Sequence, residues 1–303
     1  MLAAIDVMKP SIRKIYHPIP SSELILRSDQ SVYHLGVRGE NIADQIVIVG
    51  DPERVPQISQ RFDHIDFSMQ TREFAIHTGE YNGKRITVAS SGIGVDNIDI
   101  LINELDAAVN IDPSTRLPHQ QLRVLEFLRL GTCGTLQAHI DPGQFIISAF
   151  AFAVDGVPYS YTNEFSETEL GLAKALRFSY SWLRSNDNLY VVEASYEMLQ
   201  RFSEIGHIGI TATANGFYGP QGRSVRMQSL MEERISEYAR FKWDGMCILN
   251  LEMECAGLFA LSSMLGHRSL TVCTVLANRS RKEFHSDPST SVESLIDTAL
   301  QRF

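Results

Sequence analysis

Basic residues are few in this sequence of 303 residues. Lys and Arg number 27 against 36 Asp and Glu, which gives a formal net charge of -9 at pH 7. Proteins that bind nucleic acid usually carry a basic surplus, so nucleic acid is not expected as a partner. An acidic protein can still bind a small anion where a few Arg side chains converge.

Cysteine is also scarce. The four residues of this type are Cys133, Cys247, Cys255 and Cys273. None stands in a CxxC pair and no His cluster accompanies them, which argues against a structural zinc site. Their apolar or small-residue surroundings are typical of reduced, buried thiols in a reducing compartment.

Long apolar runs are missing from the sequence. No stretch reaches the ~18 apolar residues that suggest a membrane span, and Asp6 and Pro10 break the apolar start too early for a signal peptide. We therefore expect a cytoplasmic protein that has no membrane partner.

Short apolar segments alternate with helical patterns through most of the chain. Strands are predicted at residues 45–50, 86–91, 123–130, 144–151, 208–214 and 269–277. Helices are predicted after Gly94 and near residues 167–184, 192–205, 228–241, 253–265 and 291–302. This rhythm predicts an α/β fold, with a mixed or mostly parallel sheet covered by helices on both faces.

Three segments fall outside that rhythm. Residues 1–31 are predicted to be an N-terminal extension to a single domain of residues 32–303, because Pro10, Pro18 and Pro20 argue against a regular element. Residues 109–122 are predicted to be a loop insertion. Residues 279–290 are predicted to be a mobile polar loop that could serve as a lid.

Two segments suggest an anion site. Gly50–Arg54 follows the first strand, and its Gly, its turn into a helix and Arg54 suit a phosphate, although an ordinary turn explains the spacing equally well. In Arg129–Gly134, Arg129 lies near the end of an apolar strand and needs a partner. A phosphate, helped by Thr132, would be one partner, and an internal carboxylate would be another.

Two further segments carry groups suited to a polar organic ligand. Phe217–Arg223 places an aromatic ring, the amide of Gln221 and the guanidinium of Arg223 in a Gly/Pro turn. Its alternative is a surface loop. Asn250–Gly257 places Glu252 and Glu254 before an apolar helix. Residues two apart do not share a helical face, so only one of the two is expected to enter a site unless this stretch is not yet helical. The alternative is favourable charge at a helix N-terminus, which explains less well a Glu that stands between Met253 and Cys255.

These four segments, in this order, resemble the nucleoside phosphorylase family from about Val32 onward. In that family a GDPxR loop and an RxGTxG segment bind phosphate, and an EMExAG segment binds ribose. The resemblance implies the mixed, partly barrel-like sheet of that fold. It implies that the phosphate site contains Gly50, Arg54, Arg129 and Thr132, together with Arg72 from a neighbouring subunit. It implies that the ribose site contains Glu252, Met253 and Glu254, together with His34 from a neighbouring subunit.

Within the family, the FYxxQxR string most resembles the uridine phosphorylases. This implies that Phe217, Gln221, Arg223 and Arg279 contact a uracil base. The implied reaction is phosphorolysis of uridine or deoxyuridine, in which Arg129 and Glu254 hold phosphate and ribose while Gln221 and Arg223 stabilise the leaving base. Purine-specific relatives usually carry an Asp near positions 276–279, and this sequence has none there.

The resemblance implies no cofactor, since inorganic phosphate is a co-substrate. The family's monovalent cation site uses the Glu of an REF segment, here Glu73, and a Ser that is replaced here by Asn97. We therefore predict no metal and keep potassium near Glu73, Ile93 and Asn97 as an open candidate. The implied assembly is a homodimer with shared sites, or a hexamer of three such dimers. A nucleosidase of the same fold and a non-catalytic nucleoside-binding protein remain alternatives.

Overall fold

The computed structural model describes residues 15–303. The strands are β1 (Gln45–Val49), β2 (His64–Thr71), β3 (Phe74–Tyr81), β4 (Lys84–Ser90), β5 (Ile111–Asp112), β6 (Leu117–Pro118), β7 (Glu126–Thr135), β8 (Phe145–Ala153), β9 (Tyr190–Glu193), β10 (His207–Thr213), β11 (Lys242–Trp243), β12 (Met246–Glu252), β13 (Arg268–Asn278) and β14 (Glu283–Phe284). The helices are α1 (Arg54–Ser59), α2 (Val95–Asn110), α3 (Glu167–Ser179), α4 (Ser181–Arg184), α5 (Tyr196–Phe202), α6 (Glu232–Tyr238), α7 (Cys255–Met264) and α8 (Pro288–Leu300).

Five strands close into a barrel. Their order is β12-β10-β8-β13-β7, and β7 returns to β12 through the antiparallel pairs Asn250↔Thr135 and Leu251↔Gly134. The sheet continues from β7 through β1, β4, β3 and β2. The pairing is parallel at β1–β7 and β10–β12 and antiparallel at β13–β8 and β3–β4. The prediction of a mixed, partly barrel-like sheet flanked by helices is therefore confirmed.

Helix α7 crosses helix α2 at very short range. Gly257 makes this possible, because a Cβ atom there would overlap the Cγ2 methyl of Val95. Every residue of α7 from Cys255 to Ser262 is buried, so the helix lies inside the core rather than on a surface. The crossing brings Gly94, just before α2, close to Glu254, just before α7.

Several element boundaries differ from the predictions. Strand β7 does not end near Leu130 but continues to Thr135, so the predicted phosphate motif lies within it. Its glycines fit inside a strand because Arg129 occupies the space beside Gly131, where a Cβ atom would overlap the guanidinium. The predicted helix at 167–184 is two helices, since Tyr180 is extended between them.

Other elements were missed or assigned to the wrong class. The predicted helix at 192–205 begins as strand β9, which is too short to show a period, and only Tyr196–Phe202 is helical. The helix predicted at 228–241 is confined to Glu232–Tyr238. Strand β12 and the β2–β3 hairpin were not predicted. Strand β2 is largely exposed and lacks an apolar run, so it gives little sequence signal.

The described part of the N-terminal extension packs on the predicted insertion. Arg116, in the turn between the short strands β5 and β6, donates to the carbonyl oxygens of Ile19, Pro20 and Leu24. Residues 1–14, with Pro10, lie outside the described residues. Within residues 15–303 no helix is long and apolar enough to cross a membrane.

Candidate active site

The four motif segments meet at one cavity of ≈ 790 Å³. It lies beside the ends of β1 and β12, the strand β7 and the turn that follows β10. Ten of the predicted phosphate, ribose and base residues line it: Gly50, Arg54, Arg129, Thr132, Phe217, Gln221, Arg223, Glu252, Met253 and Glu254.

One end of the cavity carries two guanidinium groups. Arg54 comes from the first turn of α1, where its N–H donates to the carbonyl of Asp51 at 3.1 Å, and Arg129 comes from the middle of β7. Burial lowers the pKa of Arg54, Asp51 opposes that shift, and the charge of Arg129 adds to it. Two cations that repel one another at a cavity wall form a site for an anion.

Two carboxylates hold Arg129. Its Nη2 donates to Oε2 of Glu254, and its Nη1 lies 3.2 Å from Oε2 of Glu252. Burial alone would lower the pKa of Arg129, but the carboxylates of Glu254 and Glu252 outweigh burial and raise it. The internal ion pair left open by the sequence is therefore present. The Nε of Arg129 is buried and has no hydrogen-bond partner among residues 15–303.

Both Glu side chains reach Arg129 because neither lies within a helix. Glu252 is the last residue of β12, and Glu254 precedes α7 with a φ of -138° and a ψ of -24°, which are not helical values. The helical-face argument that only one of them enters the site does not apply to this backbone. Glu254 also accepts a hydrogen bond at 2.7 Å from the N–H of Gly94.

The turn after β10 also lines the cavity. Nη1 of Arg223 donates to Oε1 of Gln221 at 2.7 Å and to the carbonyl of Phe217 at 2.7 Å. Its Cζ lies 3.9 Å from the centroid of the Phe217 ring. Burial, with a contribution from Arg279, lowers the pKa of Arg223 to about 10. Arg223 therefore remains a cation at neutral pH and faces the cavity with an amide beside it.

Three of the predicted site residues do not line this cavity. Arg279 lies behind the turn, where it donates to the carbonyl oxygens of Gln221 at 3.0 Å and Gly222 at 3.4 Å. His34 contacts Glu104 through Nδ1 at 2.5 Å. Arg72 is exposed at the tip of the β2–β3 hairpin with a φ of 56°.

The candidate cation residues are neighbours. Glu73, Ile93 and Asn97 all line the cavity, and a Cβ atom on Gly92 would lie 2.6 Å from Nδ2 of Asn97 and 3.0 Å from Cγ of Glu73. Nδ2 of Asn97 donates to the carbonyl of Ile93 at 3.4 Å. Among residues 15–303 no group of three or more His, Cys, Asp and Glu side chains is arranged to hold a metal ion.

The sequence did not identify the apolar part of the lining. Leu276 and Ala277 reach the cavity where β13 shifts register between Val275 and Ala277, and Phe284 reaches it from β14. A register shift is set by pairing with a neighbouring strand, so a single sequence carries no signal for it. Phe284 lies in the segment predicted as a lid and is 69% exposed.

Comparison with known proteins identifies the family. The model of the phosphorylase superfamily matches residues 44–302. The protein belongs to this superfamily, as the order of its motifs predicted.

Several relatives carry names that narrow the class. The chain is 32% identical over 256 residues to a uridine phosphorylase of Thermococcus kodakarensis, a match that covers 83% of this chain and 79% of that protein. It is 27% identical to a guanosine phosphorylase of Halorubrum lacusprofundi, over 81% of this chain and 83% of that one. It superposes with a TM-score of 0.80 on the nucleoside phosphorylase of Trypanosoma brucei, which shows uridine phosphorylase activity. That structure is 27% identical, and the match covers 92% of this chain and 99% of that one.

Proposed function

We propose that this protein is a uridine phosphorylase, which converts uridine and inorganic phosphate into uracil and ribose 1-phosphate. The observation that carries the proposal is that Arg54 and Arg129 line the same cavity as Gln221 and Arg223. Six uridine phosphorylases among the relatives, at 27–32% identity, support the choice of base.

Phosphate acts as the nucleophile in this reaction, so the protein supplies charge and position. A phosphate beside Arg54 and Arg129 gains charge-assisted hydrogen bonds, and Nε of Arg129 is a buried donor that still needs an acceptor. The hydroxyl of Thr132 adds a further donor. Held in this way, a phosphate oxygen attacks the anomeric carbon of the ribose, and the carbon–nitrogen bond to the base breaks through an oxocarbenium-like transition state.

The base leaves with the electron pair of that bond, so negative charge develops on the uracil ring. The guanidinium of Arg223 stabilises that charge, and the amide of Gln221 matches the alternating donors and acceptors of the pyrimidine edge. Phe217, already stacked on Arg223, covers the ring. The uracil anion then takes a proton from solvent.

Glu254 is the group that we assign to the ribose hydroxyls. Its oxygens accept from Gly94 and Arg129, and each carboxylate oxygen has a second lone pair for a hydroxyl donor. Met253 lines the same part of the cavity and supplies an apolar contact for the sugar.

We extend the proposal to a cytoplasmic homodimer with shared sites that acts in pyrimidine salvage. His34 and Arg72 do not line the cavity of their own chain, which suits a role in a neighbour's site. All four cysteines are free thiols, as a reducing compartment requires. Potassium beside Glu73 and Asn97 remains part of the proposal to be tested by activity in potassium-free buffer.

The test is release of uracil from uridine by the purified protein, followed by ultraviolet absorbance with and without phosphate. Inosine is run in parallel. We expect uracil release that requires phosphate and exceeds inosine turnover. Release that is equally fast without phosphate would identify a nucleosidase, and turnover of inosine alone would identify a purine enzyme. Thermal protection by uridine without turnover would identify a binding protein.

A further inference from the structure

The carboxylate of Glu252 already has partners on both oxygens. Oε1 accepts from the hydroxyl of Thr213 at 2.6 Å, and Oε2 accepts from the N–H groups of Glu254 and Cys255, each at 2.9 Å. Oε2 also lies 3.2 Å from Nη1 of Arg129. Glu252 is 3% exposed. Its Oε2 is thus saturated by three donors and its Oε1 has one, whereas each oxygen of Glu254 has a single donor.

Thr213 completes this arrangement from the next strand. It is the last residue of β10, which runs parallel to β12 with Thr213 opposite Glu252. Besides donating to Glu252, its hydroxyl accepts from the N–H of Ala256 at 3.0 Å. Thr213 and Glu252 therefore satisfy three successive N–H groups at the start of α7, those of Glu254, Cys255 and Ala256. These groups have no acceptor within the helix.

The position of the reacting groups depends on these bonds. The N–H of Glu254 donates to Glu252. The side chain of Glu254 accepts hydrogen bonds from Arg129 and from the N–H of Gly94. Arg129 also forms an ion pair with Glu252. A shift in the start of α7 moves the predicted ribose ligand and the predicted phosphate ligand together, and displacements of about 1 Å cost much activity at a reacting centre.

We infer that Thr213 and Glu252 are positioning residues, which fix Arg129 and Glu254 for phosphate and ribose without contacting either substrate. The inference rests on the proposed function, and it revises the ribose contact that the family resemblance implied for Glu252. Thr213 carries no recognisable motif in the sequence, because its role depends on β10 lying beside β12.

The decisive variant is Thr213→Val, which keeps the shape of the side chain and removes the hydroxyl. Oε1 of Glu252 then loses its donor and the N–H of Ala256 loses its acceptor. Thr213→Ser restores the hydroxyl. Thr78→Val is the matched control, because Thr78 is also a fully buried strand residue whose hydroxyl bonds another side chain, Thr87 at 2.8 Å, away from the cavity.

Phosphate binding is measured by calorimetry without uridine, so the readout does not need turnover. For Thr213→Val we expect the phosphate Kd and the phosphate KM to rise about tenfold, because the start of α7 shifts and displaces the carboxylates that hold Arg129. Thr213→Ser should return to within about threefold of the wild type, and Thr78→Val should match it. A Thr213→Val protein with unchanged phosphate Kd and KM would overturn the inference.

A second variant covers the case in which Thr213→Val does not fold. Glu252→Gln keeps the side-chain shape and one acceptor oxygen for α7. Because the remaining oxygen still accepts from the start of α7, Glu254 stays in place, and a positioning role predicts a uridine KM within about threefold of the wild type. A uridine KM raised tenfold or more, with phosphate Kd unchanged, would make Glu252 a ribose ligand and overturn the inference. A wild type that binds phosphate but does not turn over uridine contradicts the proposed function instead, and one that does neither contradicts both.

Discussion

At the scale of single residues, motif order identified side chains that the fold brings together. Arg54, Arg129 and the Gln221–Arg223 segment lie far apart in the sequence and line one cavity. Their partners were not predictable in the same way. The ion pairs of Arg129 depend on how β7 meets the end of β12, and the hydroxyl of Thr213 matters only through the register of β10. Contacts of this kind are set by pairing between strands.

The charge of Arg223 can be tested by a single substitution. If its charge stabilises the leaving uracil, Arg223→Ala should lower kcat/KM for uridine by about 10²–10³-fold, the usual effect of removing one electrostatic group from a transition state. Steady-state kinetics at saturating phosphate measure this. Arg226→Ala is the control, because Arg226 is exposed and does not line the active-site cavity. A loss below tenfold for Arg223→Ala would remove Arg223 from its assigned role.

At the scale of elements, apolar periodicity predicted the buried parts of the fold. Strands β1, β4, β8, β10 and β13 stand where β-branched runs placed them, because buried strands must be apolar. The β2–β3 hairpin gave no such signal, since half of its surface faces solvent. Strand β7 continues beyond its predicted end near Leu130, because Gly131 makes room for Arg129 within the strand.

The crossing of α2 and α7 gives a stability prediction. In most helices Gly→Ala is stabilising by about 1 kcal/mol, but in α7 a Cβ at position 257 overlaps Val95. Gly257→Ala should therefore destabilise the protein by about 1–3 kcal/mol, the usual cost of overpacking. Gly171→Ala in α3 is the control, since a Cβ there meets only Trp243 at 3.9 Å. Denaturant unfolding measures both, and Gly257→Ala as stable as Gly171→Ala would contradict the crossing.

At the scale of the whole molecule, the cavity of one chain is built without His34 and Arg72. Family resemblance assigns both to a neighbouring subunit, and the structure puts Arg72 at an exposed hairpin tip next to Glu73, which does line the cavity. The sequence alone could not give the contact surface of the proposed dimer, because such a surface depends on where loops and hairpins lie after folding.

A mixing experiment tests the shared site. Arg72→Ala and Arg223→Ala are each expected to be nearly inactive as pure proteins. Unfolding and refolding them together should restore about a quarter of the wild-type activity, because half of the dimers are mixed and each mixed dimer has one intact site. Activity that stays at the level of the separate variants, with dimers present by ultracentrifugation, would show that each chain uses its own Arg72.

The proposed reaction requires that phosphate, rather than water, attacks the ribose in the cavity lined by Arg129 and Arg223. The most direct measurement is the sugar product, followed by phosphorus nuclear magnetic resonance while uracil is counted by absorbance in the same reaction. Phosphorolysis predicts one ribose 1-phosphate formed and one inorganic phosphate consumed for each uracil released. Uracil that accumulates with no loss of inorganic phosphate would contradict it.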